Sequence, residues 1–383
     1  MTASISLTDP DAPAFIDLAV EGVRRLRPYE PGKPVETLEQ ELGIKDSIKL
    51  ASNENPLGPS PLALAAMRAR LDAVSYYPDG NGFALKDAIA RRHGVPMNCV
   101  TIGNGSNDVL ELLARAFLAP GRSAVYSAHA FAVYPIVTTA TGAVSRVATP
   151  NPPDAAMPYG HSLENLYHQV DRDTRLVFIA NPNNPTGTWL TSDVLHDFVD
   201  SLPPHVICVV DEAYAEYVTE AAYPDASAWL ERFPRLVVTR TFSKIFGLAG
   251  LRVGYGLSHP DVADLLNRVR QPFNVNLLCQ DAARAALDDD AHIQRSRKVN
   301  DDGLTVLTRA FDERGLRHIP SVGNFICVDL ARKALPVYDA MLREGVIVRP
   351  VANYGFPDHL RITVGTGPQN QRMLAALDKA LQS

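Results

Sequence analysis

Cysteine is sparse. The 383 residues hold four, Cys99, Cys208, Cys279 and Cys327, and no two form a CxxC pair. Such spacing argues against a disulfide framework or a zinc site, so no metal is expected. Cys208 and Cys327 sit in apolar runs, as buried free thiols do. Positive charge is not in excess: the formal net charge of -6 gives no general pull toward nucleic acid or an anionic membrane. No apolar run is long enough to span a bilayer. Residues 1–6 lack the basic start and apolar core of a signal peptide, which makes the cytoplasm the expected compartment. The Gly-x-x-x-x-Gly-Lys-Ser/Thr pattern of a P-loop is missing, and Gly103-Asn104-Gly105 does not extend to GxGxxG. There is no internal repeat and no low-complexity segment.

What is present is an ordinary globular composition, 46% hydrophobic and 21% charged, in a chain long enough for two domains. The spacing predicts a helix over 15–26, broken by Pro28, Pro31, Gly32 and Pro34, and further helices over 60–71 and 85–93. From there strands and helices alternate. Strands are expected at 123–127, 176–180, 206–210, 236–240 and 252–256, and helices at 109–117, 130–140 and 190–201. The run 206–210 is apolar on both faces, as a strand covered by helices on both sides would be. Helices follow over 260–270, 279–287 and 294–313. Then come strands at 325–330, 346–349 and 360–364, with helices over 337–344 and 369–381. This order predicts an α/β fold with a mostly parallel central sheet between helices. Residues 1–50 read as an arm and part of a small domain, 51–275 as a large domain, and 276–383 as a small α+β domain.

Three stretches carry chemistry. Thr241-Phe242-Ser243-Lys244 sets an amine among small and hydroxylated residues, with Arg252 downstream. Asn183-Asn184-Pro185-Thr186-Gly187 precedes it, as does Asp211-Glu212-Ala213-Tyr214 at the end of an apolar run. Together they offer an aldehyde-trapping amine, a carboxylate, a phenol, an amide and phosphate ligands. That set fits pyridoxal 5'-phosphate, whose ring stores carbanion electrons. Lys244 can form an imine with the cofactor aldehyde and then move a proton from the substrate carbon. It must be partly neutral for this, so a depressed pKa is expected. Asp211 at a strand end needs a cationic or hydrogen-bonding partner, and a protonated pyridine nitrogen is one. Tyr214 and Asn184 can hydrogen-bond the cofactor O3′. The small residues Gly103-Asn104-Gly105-Ser106-Asn107 ahead of a helix can turn backbone N–H groups toward a phosphate, aided by Ser243 and Arg252. Phe131 can stack on the pyridine face or pack in the core.

These residues carry a family likeness. Lys49-Leu50-Ala51-Ser52-Asn53-Glu54-Asn55-Pro56-Leu57-Gly58, Tyr77-Pro78-Asp79-Gly80, Ser243-Lys244, Gly250-Leu251-Arg252-Val253-Gly254 and Leu360-Arg361-Ile362-Thr363-Val364-Gly365 join the stretches above. The chain resembles fold-type I pyridoxal phosphate enzymes of the aspartate aminotransferase superfamily. Within it, the chain is similar to the histidinol-phosphate aminotransferase family over almost its full length. The resemblance implies that Lys244 carries the cofactor, Asp211 meets the ring nitrogen, and Asn184 and Tyr214 hold O3′. It also implies that Gly105, Ser106, Asn107, Ser243 and Arg252 bind the phosphate while Phe131 stacks where many relatives have tyrosine. Tyr77 would reach the phosphate of a partner subunit, making a homodimer with shared sites. Tyr29, Asn55, Asn184, Arg349 and Arg361 would serve substrate binding, Asn55 beside Pro56 and Gly58 by lining the entrance or by supporting the binding loop, and two guanidinium groups suit both a phosphate and the carboxylates of 2-oxoglutarate or glutamate. The implied reaction is ping-pong transamination between L-histidinol phosphate and 2-oxoglutarate. The residues alone leave open an aromatic or broad-specificity aminotransferase and an amino-acid-phosphate decarboxylase. A cofactor-binding regulator would need a DNA-binding module, and the arm has little room for one.

Overall fold

The computed structural model describes residues 14–29 and 31–382; residues 1–6, and the expected lack of a signal peptide there, lie outside them. The strands are β1 (Ile48–Lys49), β2 (Val100–Gly103), β3 (Ser123–Ser127), β4 (Val144–Ala148), β5 (Thr174–Ala180), β6 (Ile207–Asp211), β7 (Leu236–Thr241), β8 (Gly254–Ser258), β9 (His318–Ile319), β10 (Phe325–Asp329), β11 (Val346–Ile347), β12 (Arg349–Val351) and β13 (Phe356–Thr363). Seven form one sheet in the order β2-β8-β7-β6-β5-β3-β4. β8 runs antiparallel to both neighbours, and the other pairings are parallel.

Alternation explains why the inner strands read as apolar throughout, because successive side chains point to opposite faces. Cys208 and Val210 join one core with Val177, Ile179 and Val238. Ile207 and Val209 join the other with Leu176, Phe178 and Val237. Helices Pro61–Arg68, Phe83–His93 and Leu277–Leu287 cover the first face, and Ser106–Phe117, Val133–Ala140 and Pro260–Val269 the second. This is the α/β architecture expected from the sequence, a mostly parallel sheet buried between helices.

A smaller antiparallel sheet has the order β12-β13-β10-β9. β1 pairs in parallel with β11, Ile48 opposite Val346, so the segment ahead of the large sheet joins the C-terminal part. The helix Asp290–Glu313 links the two cores: Ile293 packs in the large one, and Leu307, Ala310 and Phe311 in the small one.

Several elements differ from expectation. Residues 15–26 form two single turns, Phe15–Leu18 and Glu21–Arg24, separated by extended Ala19 and Val20. No residue of the first turn is buried, so no tertiary packing offsets the cost of helix nucleation. The helix expected from residue 130 begins at Val133, which leaves Phe131 ahead of it. The strand expected over 346–349 divides between two sheets, with β11 pairing with β1 and β12 with β13.

One buried ion network ties β7 to the segment after β6. Arg240 donates from Nε and Nη2 to Glu212 Oε2 at 2.9 and 2.6 Å, and reaches Glu216 at 3.3 Å and Asp225 at 2.9 Å. The Glu212 side chain is fully buried. Arg240→Met strands that carboxylate without its cation. Chemical denaturation is expected to show a loss of about 3–5 kcal/mol. A loss within about 1 kcal/mol, the range of a surface pair, would contradict the network's role.

Candidate active site

The parallel strands β5, β6 and β7 end along one edge of the large sheet, where open α/β sheets place their ligands. Asp211 closes β6. Lys244 and Asn184 lie on the loops that leave β7 and β5, and Ser106 opens the helix after β2. A cleft of about 260 Å³ gathers these residues with Asn107, Phe131, Tyr214, Ser243 and Arg252, and with Tyr29, Arg349 and Arg361 from the small-domain side.

Asp211 is 4% exposed. Tyr134 Oη donates to its Oδ2 at 2.9 Å, and Thr239 Oγ1 to its Oδ1 at 2.9 Å. Burial raises the Asp211 pKa above the ordinary carboxylate value, while the two hydroxyls and Lys244 pull it back. Lys244 Nζ donates to the Ser52 carbonyl at 3.0 Å and stands 5.5 Å from the Tyr214 ring centroid. Burial, helped by the positive charges of Arg361 and Arg252, lowers the Lys244 pKa to about 7 against the attraction of Glu54 and Asp211. Desolvation therefore pushes both groups toward neutrality although their charges attract.

The phosphate-sized end of the cleft is built from backbone and one cation. Gly105 has φ +85°, and a Cβ there would lie 2.5 Å from Arg252 Nη2, so only glycine lets the guanidinium approach. Arg252 Nη1 donates to Ser243 Oγ at 3.3 Å and to the Ala249 carbonyl at 3.0 Å. The N-terminus of helix Ser106–Phe117 opens beside them. A dianion fits this cradle of N–H groups, hydroxyl and guanidinium. The buried carboxylate, the lowered amine and the cradle together fit pyridoxal phosphate: ring nitrogen at Asp211, aldehyde at Lys244, phosphate at Arg252 and Ser106.

The cleft is also where the two sheets meet. Tyr214 Oη accepts from Asn53 Nδ2 at 2.9 Å, and Asn53 Oδ1 accepts from Thr363 Oγ1 of β13 at 3.1 Å. Burial raises the Tyr214 phenol to about 12, so it stays a donor at neutral pH. Arg361 in β13 donates to Asn184 Oδ1 and to the Ala51 carbonyl, each at 2.5 Å. Its Nε is buried without a hydrogen-bond partner. Arg349 of β12 is the direct cross-strand partner of Arg361, and its guanidinium lies 5.9 Å from the Tyr29 ring centroid. Both arginines line the same cleft.

Two expected site residues lie elsewhere. Asn55 is absent from the cleft lining and 7% exposed. Its Nδ2 donates to the Ile245 carbonyl at 2.7 Å and to Ser296 Oγ at 2.8 Å, and its Oδ1 accepts from the Leu57 N–H at 2.9 Å. With those atoms engaged it anchors the Lys244 loop, the supporting one of the two roles expected for it. Tyr77 is 81% exposed, stacks on Phe273 at 4.7 Å, and is absent from this chain's cleft. Sequence reasoning missed Asn53, Glu54, Tyr354, Tyr134 and Thr239. Asn53 and Glu54 lie inside a motif already singled out, and Tyr134 sits one helical turn beyond Phe131. Tyr354 and Thr239 carry no signal in the sequence.

All four cysteines are free and buried. Among the described residues no group of three or more His, Cys, Asp or Glu is placed to hold a metal ion, and no helix is long and apolar enough to cross a membrane.

Residues 45–377 match the aminotransferase class I and II family, the class of protein that this fold and site define. Histidinol-phosphate aminotransferase 2 of Pseudomonas fluorescens (strain Pf0-1) is 57% identical over 96% of this chain and 98% of its own length. Histidinol-phosphate aminotransferase 1 of Nitrosococcus oceani is 54% identical over 96% and 98%. The structure of histidinol-phosphate aminotransferase from Sinorhizobium meliloti, in complex with pyridoxal-5'-phosphate, superposes with a TM-score of 0.86 at 28% identity, covering 95% of this chain and 97% of that one. The chain belongs to the class I and II aminotransferases, among their histidinol-phosphate aminotransferases.

The lowered Lys244 pKa has a measurable sign. The folded value of about 7 lies below the ordinary 10.5, so between these values the unfolded chain binds the extra proton. Cofactor-free protein therefore gains stability from this group as pH rises from about 7 toward 10.5, and carries the full cost of a buried cation below 7. Amine-modification kinetics of Lys244 in cofactor-free protein are expected to titrate with a midpoint near 7. A midpoint near the ordinary 10.5 would contradict the desolvated site.

Proposed function

We propose that this chain transfers the amino group of L-histidinol phosphate to 2-oxoglutarate, giving imidazole-acetol phosphate and L-glutamate, as a ping-pong step of histidine biosynthesis. The observation that carries this reading is the cross-strand pair Arg349 and Arg361 in the same cleft as Lys244 and Asp211. Two guanidinium groups suit the phosphate of one substrate and the carboxylates of the other. Full-length relatives named histidinol-phosphate aminotransferases support the choice of substrate.

Bound pyridoxal phosphate supplies a ring that takes up the electron pair left when the substrate Cα–H bond breaks. The residues around it have separate tasks. Lys244 holds the cofactor and, once displaced by the substrate amine, accepts the Cα proton on Nζ. A pKa of about 7 leaves a large neutral fraction at neutral pH for that step. Asp211 holds the ring nitrogen, and Tyr214 with Asn184 holds O3′. Gly105, Ser106, Asn107, Ser243 and Arg252 hold the phosphate. Phe131 lines the cleft and covers the ring, a task that needs only an aromatic face. Tyr29, Arg349 and Arg361 bind substrate.

The protein acts in this reading as a cytoplasmic homodimer. Tyr76 and Tyr77 are 75% and 81% exposed, beside exposed Leu71, Val74 and Phe83. A partner subunit covering this apolar surface would receive Tyr77 at its phosphate cradle. Light scattering should give the mass of two chains; a single-chain mass would remove the shared site. The division expected between residues 275 and 276 is proposed to fall later, within helix Asp290–Glu313, since Leu277–Leu287 packs on the large core.

The test is a half-reaction on the cofactor-loaded protein. L-histidinol phosphate and phenylalanine are added separately, and conversion of the pyridoxal to the pyridoxamine form is followed by absorbance. Rapid conversion with L-histidinol phosphate is expected. Arg361→Gln should slow it by roughly tenfold to a hundredfold in kcat/KM, the scale of a lost charged hydrogen bond. A preference for phenylalanine would overturn the substrate and leave the aminotransferase class standing.

A further inference from the structure

We propose that Tyr134, together with Thr239, is a positioning residue that keeps Asp211 ionised and aimed at the ring nitrogen of the cofactor. The inference rests on the pyridoxal phosphate reading above.

Asp211 has no bulk water to solvate its charge, since it is 4% exposed. Each of its oxygens instead accepts one hydroxyl hydrogen from a different element. Tyr134 reaches Oδ2 from helix Val133–Ala140, and Thr239 reaches Oδ1 from β7, each at 2.9 Å. A neutral donor stabilises the carboxylate without cancelling its charge, which remains available to a protonated ring nitrogen. A carboxylate offers about four lone-pair directions, so two donors fix its plane and leave others toward the cleft.

Packing gives the Tyr134 hydroxyl little freedom. Its side chain is fully buried. The ring stacks on Phe178 at 4.8 Å and 6°, and meets Phe131 edge-on at 5.9 Å and 88°. Phe131 lines the cleft. One side chain thus touches both the carboxylate at the ring nitrogen and the aromatic proposed for the ring face. Burial and the neighbouring Asp211 charge raise the Tyr134 phenol well above its ordinary value, so it donates throughout the working pH range. If Tyr134 served packing alone, its hydroxyl would have no bearing on which atom of the cofactor Asp211 recognises.

The test uses cofactor-free full-length protein titrated at equilibrium with two ligands: pyridoxal phosphate, and its 1-deaza analogue with carbon in place of the ring nitrogen. Wild type is expected to prefer pyridoxal phosphate. Tyr134→Phe, which keeps the ring, should shrink that preference by roughly tenfold or more, the scale of a hydrogen bond to a charged group. Thr239→Val should act in the same direction and serves if the first variant does not fold. An equal affinity loss for both ligands, or an unchanged preference in the variants that fold, would reduce Tyr134 to packing and overturn the proposal. A wild type with no preference would overturn it too, because Asp211 would not grip the ring nitrogen, while the cofactor reading survived. Wild type that binds neither ligand would overturn the cofactor reading and this inference with it.

Discussion

The site depends on one electrostatic constraint: a buried carboxylate and a half-buried amine, Asp211 and Lys244, in one cleft between two cores. Burial acts against the charge of each. Their mutual attraction is too weak to restore ordinary values, and the remaining stabilisation comes from oriented neighbours. Tyr134 and Thr239 hold the carboxylate, and the Ser52 carbonyl receives the amine. The cluster is thereby suited to a ligand with a basic ring nitrogen and an aldehyde. Such a group meets the carboxylate's need for a cation and consumes the poorly solvated amine. Stability is given up at the positions where reactivity is gained, since a buried lysine with a lowered pKa costs the fold at neutral pH and below.

The large sheet alone does not make this site. β6 and β7 deliver Asp211 and Lys244, but part of what surrounds them comes from the smaller sheet and from the segment after β1. Thr363 in β13 orients Asn53, and Asn53 orients Tyr214. Arg361 bonds Asn184 on the loop after β5 and the Ala51 carbonyl after β1. Movement of the small sheet relative to the large one would shift the phenol, the amide and the guanidinium together. That geometry joins the cross-strand pair Arg349 and Arg361 to the placement of Asn184 and Tyr214.

Much of this was legible in the sequence, for physical reasons that differ by element. The run 206–210 betrays its strand because helices cover both faces and no polar position is tolerated. Lys244 stands out through the company of Ser243 and Arg252. β4 escapes notice because it is an edge strand, with Val144 and Val147 exposed and Ser145 and Arg146 between them. The turns at 15–24 mislead because no residue of the first is buried and only Gly22 of the second is, too little packing to hold one continuous helix. Asn55 beside Pro56 and Gly58 could be read as a rim residue or as a loop support, and only the fold shows its amide engaged by the Lys244 loop and Ser296. Tyr134 and Thr239 illustrate the limit of a linear reading, since a hydroxyl that meets a carboxylate 77 or 28 positions away is visible only after the chain folds.

The central claim is that the amine of Lys244 carries the cofactor. Borohydride reduction of the protein loaded with pyridoxal phosphate, followed by digestion and peptide mass mapping, tests it directly. The account predicts the phosphopyridoxyl mass on the peptide containing Lys244 and on no other. The same mass on another lysine, such as Lys49, which pairs with Glu54 of the cleft lining, or no fixed cofactor at all, would contradict it.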